Sequence, residues 1–239
     1  MKPLLNILLL LLPVAAFAQT EKSGHTFRIL FFDPPAGAPD TLYLYDGKEA
    51  REVELPRMNF SPVYELPEGP LKLSLLPERP VNPGEIPMGA PCATVPESVV
   101  DFYLLVTSDE TNKVAPVAMH VVNAGGLRAG QMLWFNLSKK TIGGTVGSER
   151  LLIQPGQHML LKAPAKANGS YPVSLAFRIP DDPNHYPLTE TYWRYDSQSR
   201  SVVFIHSHAN GRTPRVEGFA DYRPPPETAQ ATPPSSDSP

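Results

Sequence analysis

Proline constrains this chain more than any other residue type, because 29 of its 239 residues are proline and they recur along the whole length. Proline interrupts the interior of a helix and ends a strand, so long helices are disfavoured throughout. Between the prolines and the 16 glycines lie short alternating apolar runs, which cover residues 26–32, 41–45, 71–76, 101–107, 114–122, 131–137, 158–162, 171–179, 189–195 and 201–207. Short strands separated by turn residues predict an all-β fold of the sandwich or barrel type.

The first 18 residues have the three parts of a secretory signal peptide. Lys2 supplies a positive charge, an apolar run extends from Leu4 to Val14, and small residues end in Ala-Phe-Ala at Ala18. We therefore expect cleavage after Ala18 and export to the periplasm, the outer cell surface or the extracellular medium. No later stretch contains the roughly 18 apolar residues of a membrane helix, so we expect no transmembrane segment in the mature chain.

Cys92 is the single cysteine, so no disulfide can form within the chain, although export leads to an oxidising compartment. Packing must therefore supply the stability of the fold. Cys92 lies in a proline-spaced stretch without a nearby histidine, which favours a loop residue over a catalytic nucleophile. The formal net charge is −3 and neither sign clusters, which argues against nucleic acid as a partner.

The strands form two groups of similar size, separated by the polar segment 108–113. We expect a β-sandwich domain over residues 24–108 and a second over residues 113–222, as two tandem immunoglobulin-like sandwiches. Six prolines between Pro77 and Pro96 predict a long loop over residues 77–97. Residues 223–239 have almost nothing apolar to bury and predict a disordered tail.

The first group of strands contains three turn motifs, Asp33-Pro-Pro-Ala-Gly-Ala-Pro39, Asp46-Gly47-Lys48 and Pro67-Glu-Gly69. Through these turns and the strands between them, residues 33–75 resemble the PEGA-type domains of bacterial surface proteins, which are small β-sandwich modules. The resemblance implies a surface or envelope module without known catalytic residues. The second group of strands has a similar spacing of strands and turns, which favours a duplicated sandwich.

Two segments have side chains that could hold a metal ion. His206 and His208 are two residues apart on a predicted strand, so both imidazoles project from one face and could reach one Zn²⁺. The candidates for a third ligand are His185, Glu190 and Asp221. The two histidines could instead continue the buried apolar row of their strand. Residues 181–185 concentrate the oxygen ligands that Ca²⁺ prefers, and they equally have the composition of a turn.

Aromatic residues in the second half could form a ligand-binding face, because flat rings bury a large area at small entropic cost. The candidates are Trp134, Tyr192, Trp193 and Tyr195. Alternation along the strand predicts that Trp193 and Tyr195 share one face and that Tyr192 lies on the other. It also places Trp134 on the less apolar face of its strand. The same rings could instead pack in a core or between domains.

Short catalytic motifs are missing from the sequence, including the nucleophile elbow, the His-Glu-x-x-His zinc motif and the phosphate-binding loop. The sequence therefore favours a non-enzymatic bacterial envelope protein that acts as a structural or interaction module, with another envelope protein or a glycan as partner. The alternative is a glycan- or metal-binding sandwich that uses Trp193 with Tyr195, or His206 with His208. An enzyme of another class stays open, and Zn²⁺ and Ca²⁺ are the only cofactors indicated.

Overall fold

The computed structural model describes residues 24–82, 85–180, 182–207 and 213–223, and all sixteen regular elements in these ranges are strands. The N-terminal half contains β1 (His25–Phe31), β2 (Thr41–Tyr45), β3 (Ala50–Glu54), β4 (Tyr64–Leu66), β5 (Leu71–Leu76), β6 (Cys92–Val95), β7 (Asp101–Ser108) and β8 (Val117–Asn123). The C-terminal half contains β9 (Met132–Asn136), β10 (Thr141–Val146), β11 (Glu149–Ile153), β12 (His158–Leu161), β13 (Gly169–Arg178), β14 (Tyr186–Tyr195), β15 (Arg200–Ser207) and β16 (Pro214–Asp221). The prediction of an all-β fold is confirmed.

The strands form four sheets of four strands each. Sheet A has the strand order β3-β2-β5-β6, sheet B β4-β1-β7-β8, sheet C β12-β9-β15-β16 and sheet D β11-β10-β13-β14. Neighbouring strands are antiparallel in every pair but two, because β1 runs parallel to β7 and β9 runs parallel to β15. Face-to-face packing of such sheets is consistent with a β-sandwich architecture.

Three hydrophobic cores join the sheets into a stack with the order A, B, C, D. The first core lies between sheets A and B and includes Phe27 and Leu73, and the second lies between sheets C and D and includes Trp134. The third core lies between sheets B and C and includes Leu105 and Phe204. Sheets B and C are therefore buried on both faces, whereas the outer sheets each have one face in solvent.

The C-terminal half repeats the topology of the N-terminal half strand for strand. Sheets A and D have the same strand order once eight is added to each strand number, and so do sheets B and C. The match extends to single hydrogen bonds at the ends of the parallel pairs. The N–H of Phe32 donates to the carbonyl of Val106 at 2.8 Å, and the N–H of Leu137 donates to that of Ile205 at 2.7 Å. Sheets B and C, which face each other, are thus counterparts.

The two halves divide later in the chain than the sequence indicated. β8 pairs with β7 along its whole length, so the second domain predicted over residues 113–222 would begin inside the first sheet pair. The polar segment 108–113 instead forms a turn, in which Asp109 accepts a hydrogen bond from the N–H of Thr111 at 3.0 Å. Polar residues are favoured in tight turns as much as in linkers. The halves are joined by residues 124–131, between β8 and β9.

The long loop predicted over residues 77–97 contains a strand. β6 forms an edge of sheet A and pairs with β5, where Val95 lies opposite Leu71. Pro91 and Pro96 flank β6 without interrupting it, because proline is tolerated at the ends of an edge strand. Cys92 is consequently an exposed residue of this strand, with a free thiol.

Several sequence predictions fall on parts of the chain that the structure does not describe. The predicted signal peptide over residues 1–18 lies outside the described residues, as does the predicted tail over residues 223–239 apart from Arg223. Within the described ranges, no helix has the length and apolar character that crossing a membrane requires.

Candidate functional site

A group of buried and half-buried polar side chains lies between sheets B and C, where the two halves meet. Six residues form this interface ion cluster: Arg28, Asp101, Tyr103, Arg200, Asp221 and Arg223. The first three belong to β1 and β7 of sheet B, and the other three belong to β15, β16 and the segment directly after β16. The cluster therefore joins side chains that are distant in sequence, since Arg28 and Asp221 are 193 positions apart and bond directly.

Asp221 is the centre of the cluster, and its side chain is fully buried. Its Oδ2 accepts hydrogen bonds from the hydroxyl of Tyr103 at 2.6 Å and from Nε of Arg200 at 2.9 Å. Nε of Arg223 donates to the same oxygen at 3.1 Å, and Arg28 donates to Oδ1. Donors from both halves thus replace the water that a carboxylate would otherwise require.

Asp101 supplies the second carboxylate of the cluster. Arg200 donates to its Oδ2 and Arg223 to its Oδ1, each at 3.0 Å. Asp101 and Arg200 occupy equivalent positions in the repeat, each five residues before the hydrogen-bonded residues Val106 and Ile205. Opposite charges therefore stand at the same position of the two facing sheets, and they pair with each other.

The electrostatic environment keeps Asp221 ionised. Burial by itself would raise the pKa of this carboxyl, but the hydrogen bond from Tyr103 and the charges of Arg200 and Arg223 outweigh it and lower the pKa to about 2. Burial and the nearby charge of Asp221 raise the pKa of Tyr103 well above its usual value of 10. The phenol therefore stays protonated and acts as a donor to the carboxylate.

A groove opens on the side of the C-terminal half where the edge strands β14 and β16 lie. The cavity has a volume of about 510 Å³. Its lining includes the aromatic residues Tyr192 and Trp193 of β14 and the charged Arg194. Tyr171, Ser201 and Gly218 also line it. This β14–β16 groove has the size and the mixture of aromatic and polar groups of a ligand site.

The four aromatic candidates occupy different environments. Trp193 and Tyr192 line the groove, and 74% of Tyr192 is exposed. Tyr195 and Trp134 are buried, and Trp134 lies parallel to Trp193 with the ring centroids 5.5 Å apart. Both faces of sheet C are covered by neighbouring sheets, which the alternation in β9 does not show. Trp134 is therefore buried behind Trp193 and does not itself line the groove. The indole N–H of Trp134 has no hydrogen-bond partner in the described part of the chain.

The histidines predicted to hold a metal lie apart. His206 is buried, its Nε2 lies 3.2 Å from Oε1 of Glu217, and its ring meets Phe32 edge-on at 4.8 Å. His185 is exposed and lines a separate cavity beside Gly143 of sheet D. His208 lies outside the described residues. His206 therefore packs between sheets B and C, in the same row as Val202 and Phe204.

The other proposed ligands are likewise engaged elsewhere or lie apart. Asp221 belongs to the interface ion cluster, and Glu190 is exposed on β14. In the segment proposed for Ca²⁺, Asp182 accepts hydrogen bonds from the N–H of Asn184 at 2.9 Å and from the hydroxyl of Tyr186 at 2.8 Å, as in a turn. Among the residues that the structure describes, no group of three or more His, Cys, Asp or Glu side chains is placed to hold a metal ion.

The sequence pattern does not predict the interface ion cluster, and it indicates Asp221 only as a candidate metal ligand. Arg28 alternates with buried apolar residues in β1, which is the pattern of a solvent-facing side chain on an outer sheet. The pattern contains no signal that a second sheet covers this face. Arg200 and Asp221 lie opposite each other at the ends of β15 and β16. Their pairing can be predicted only when β15 and β16 are known to be neighbours.

No family model matches the chain, and no curated protein is significantly similar to it. The interface ion cluster and the β14–β16 groove are therefore the features from which a function has to be inferred.

Replacing Asp221 by Asn is expected to lower the free energy of unfolding by about 3 kcal/mol or more, because the buried Arg200 and the half-buried Arg28 and Arg223 lose their shared counter-charge. Chemical denaturation of the purified protein measures the loss. Asp40→Asn is the matched control: it removes a 2.7 Å ion pair with Arg57, but 87% of the Asp40 side chain is exposed. The control should lose less than about 1 kcal/mol. Equal losses in the two variants would contradict the role assigned to the cluster.

The lowered pKa of Asp221 also predicts a defined acid sensitivity. The pKa is about 2 in the folded chain and about 4 in the unfolded chain, so the carboxylate stabilises the fold above about pH 4. This contribution, of the order of 2 kcal/mol, is lost as the pH falls from about 4 towards 2. The difference in unfolding free energy between the wild type and Asp221→Asn should therefore shrink over this range. A difference that does not change with pH argues against a charged Asp221 in the fold.

Proposed function

We propose that the mature chain is an exported, non-enzymatic interaction module of a bacterial cell envelope, built from two tandem immunoglobulin-like β-sandwich domains. The signal-like residues 1–18 and the PEGA-like turns within residues 33–75 support the envelope location. The pairing of sheets A with B and of C with D, each around its own core, supports the tandem arrangement.

The main support for a non-enzymatic role is the way in which the buried ionisable groups are used. Asp221 and Tyr103 have the environments that shift pKa values most, and such groups are often catalytic. A catalytic acid or base must, however, present its proton or lone pair to a substrate within hydrogen-bond distance. Asp221 and Tyr103 instead bond to each other and to arginines from both halves. They stabilise the contact between the halves, and neither lines the β14–β16 groove.

A fixed contact between the halves suits a protein that presents binding surfaces. Contacts between domains of one chain are usually small and polar, and the domains then move relative to each other. Here a hydrophobic core with large side chains such as Phe204 surrounds the meeting point of sheets B and C, and the ion cluster adds directional bonds. Surfaces on the two halves therefore keep one relative orientation, which benefits a partner that contacts both.

Glycan binding is the second candidate function, and the β14–β16 groove is the observation that favours it. Trp193 supplies aromatic surface in the groove, and Ser201 and Arg194 add polar groups to its lining. The histidine pair offers less support for a metal site, because His206 is engaged by Glu217 and Phe32.

Export can be tested by expressing the full-length chain in a bacterial host and fractionating the cells. We expect the protein in the periplasm or the medium, with an intact mass that corresponds to a chain beginning at Gln19, because the Ala-Phe-Ala motif ends at Ala18. An Ala18→Asp variant should accumulate with its first 18 residues attached, since signal cleavage requires a small residue at this position. Wild-type protein that keeps these residues and stays in the cytoplasm would contradict the proposal.

The non-enzymatic role can be tested with the mature protein and panels of ester, peptide, phosphoester and glycoside substrates. We expect no saturable turnover above the rate of a heat-denatured sample, because the buried ionisable groups are bonded to one another. Saturable turnover that a single substitution abolishes without unfolding the protein would overturn this part of the proposal.

A further inference from the structure

The two halves differ on the side where β14 and β16 lie. In the N-terminal half the equivalent strands β6 and β8 are in contact, and Val121 of β8 packs against the first core. Gly218 of β16 takes the place of Val121, because it pairs with Val203 of β15 as Val121 pairs with Leu104 of β7. A side chain that fills this position in one half is thus missing in the other, and the groove lies there.

Neither the backbone nor the available space requires a glycine at position 218. Gly218 is not among the glycines with positive φ, so its backbone conformation is open to other residues. A Cβ added there would lie 3.8 Å from Cγ2 of Val203, which is an ordinary van der Waals distance. The effect of the glycine is therefore to keep the β14–β16 groove open.

The groove offers flat apolar surface and hydrogen-bonding groups side by side. Trp193 lies against the buried Trp134 and is held in a fixed orientation by this stacking. Tyr192 is the preceding residue of β14, so its ring projects from the other face of the strand and is exposed beside the groove. Ser201 and the hydroxyl of Tyr171 line the same cavity, and the free edges of β14 and β16 add backbone N–H and C=O groups. Sugar rings have an apolar C–H face and a rim of hydroxyls, which match these two kinds of surface.

The positive charge of Arg194 indicates which class of ligand the groove favours. Arg194 is the one charged residue among the described residues that line the groove, and no carboxylate accompanies it there. Arg194 also forms no ion pair with any part of the chain that the structure describes. A guanidinium group pairs with a carboxylate through two parallel hydrogen bonds, so an anionic ligand is favoured over a neutral one.

We propose that the β14–β16 groove binds an acidic carbohydrate, with a sugar ring against Trp193 and a carboxylate on the exposed Arg194. This inference rests on the interaction role proposed above and names the class of its ligand. Gly218 keeps the site open, and the stacked pair of Trp134 and Trp193 forms its wall.

The test uses the mature full-length chain with two matched probes, an oligogalacturonic acid of about six sugars and its methyl ester, which lacks the charges. Binding is followed by tryptophan fluorescence, since Trp134 and Trp193 are the two tryptophans of the chain, and by calorimetry. We expect the acid to bind at least tenfold more tightly than the ester, because only the acid can pair with Arg194. Reducing ends are assayed in the same samples.

Substitutions locate the site. Gly218→Val should weaken binding at least tenfold by filling the groove, and Trp193→Ala should do the same by removing the ring. Gly218→Ala, with a smaller side chain, should give a smaller loss at an unchanged unfolding midpoint, which separates blocking from misfolding. Arg194→Gln should abolish the preference for the acid, whereas Arg150→Gln, an exposed arginine on the opposite edge strand of sheet D, should leave it unchanged.

Each outcome decides one of the two proposals. The inference is overturned if the acid does not bind, or if Gly218→Val and Trp193→Ala leave its affinity unchanged. It is also overturned if an extended apolar peptide binds instead and Gly218→Val abolishes that binding, because free strand edges can also pair with a peptide strand. Release of reducing ends would overturn the non-enzymatic role while the carbohydrate site stands. Absence of both binding and turnover overturns only the carbohydrate inference.

Discussion

Burial of the Asp221 carboxylate between sheets B and C is the constraint on which the arrangement of the two halves depends. Buried ion pairs contribute little net stability, because desolvation offsets most of their attraction. The surrounding apolar side chains supply the stability instead, at about 1.5–3 kcal/mol for each large residue such as Phe204 that becomes fully buried. The directional bonds from Tyr103 and Arg200 then select one alignment of the two sheets, since any other alignment leaves a buried charge without its partners.

Because the two halves repeat one topology, residues at equivalent positions can be compared directly. Sheets B and C are equivalent and face each other, so some equivalent positions come close together at their contact. Identical charges at such positions would repel each other. Asp101 and Arg200 occupy such a pair of positions with opposite charges, which turns repulsion into attraction. Val121 and Gly218 are a second pair, and here the difference closes one sheet pair and opens the other. The contact between the halves and the β14–β16 groove therefore both arise where the two copies differ.

Local patterns predicted local structure well, and long-range structure poorly. Each of the ten alternating runs overlaps a strand, because alternation and turn residues act within a few positions. Six strands lie outside those runs, namely β3, β4, β6, β10, β11 and β16, and the pairing of β8 with β7 is not indicated either, since strand pairing is decided by distant segments. The alternation of β9 predicts Trp134 on the less apolar face of its strand, but it does not show that sheets cover both faces and that Trp134 is buried. Gly218 carries no signal by itself, and only alignment with Val121 in the folded repeat makes it informative.

The structure predicts that the two halves unfold as one cooperative unit, and each half offers a site for a spectroscopic probe. Both tryptophans lie in the C-terminal half, and the free, exposed Cys92 in sheet A can carry a fluorescent label in the N-terminal half. Denaturant titration followed by both signals tests the claim directly. Coincident transitions are predicted, because opening of either half exposes the third core and the ion cluster. Two separate midpoints in the wild-type protein would contradict the claim.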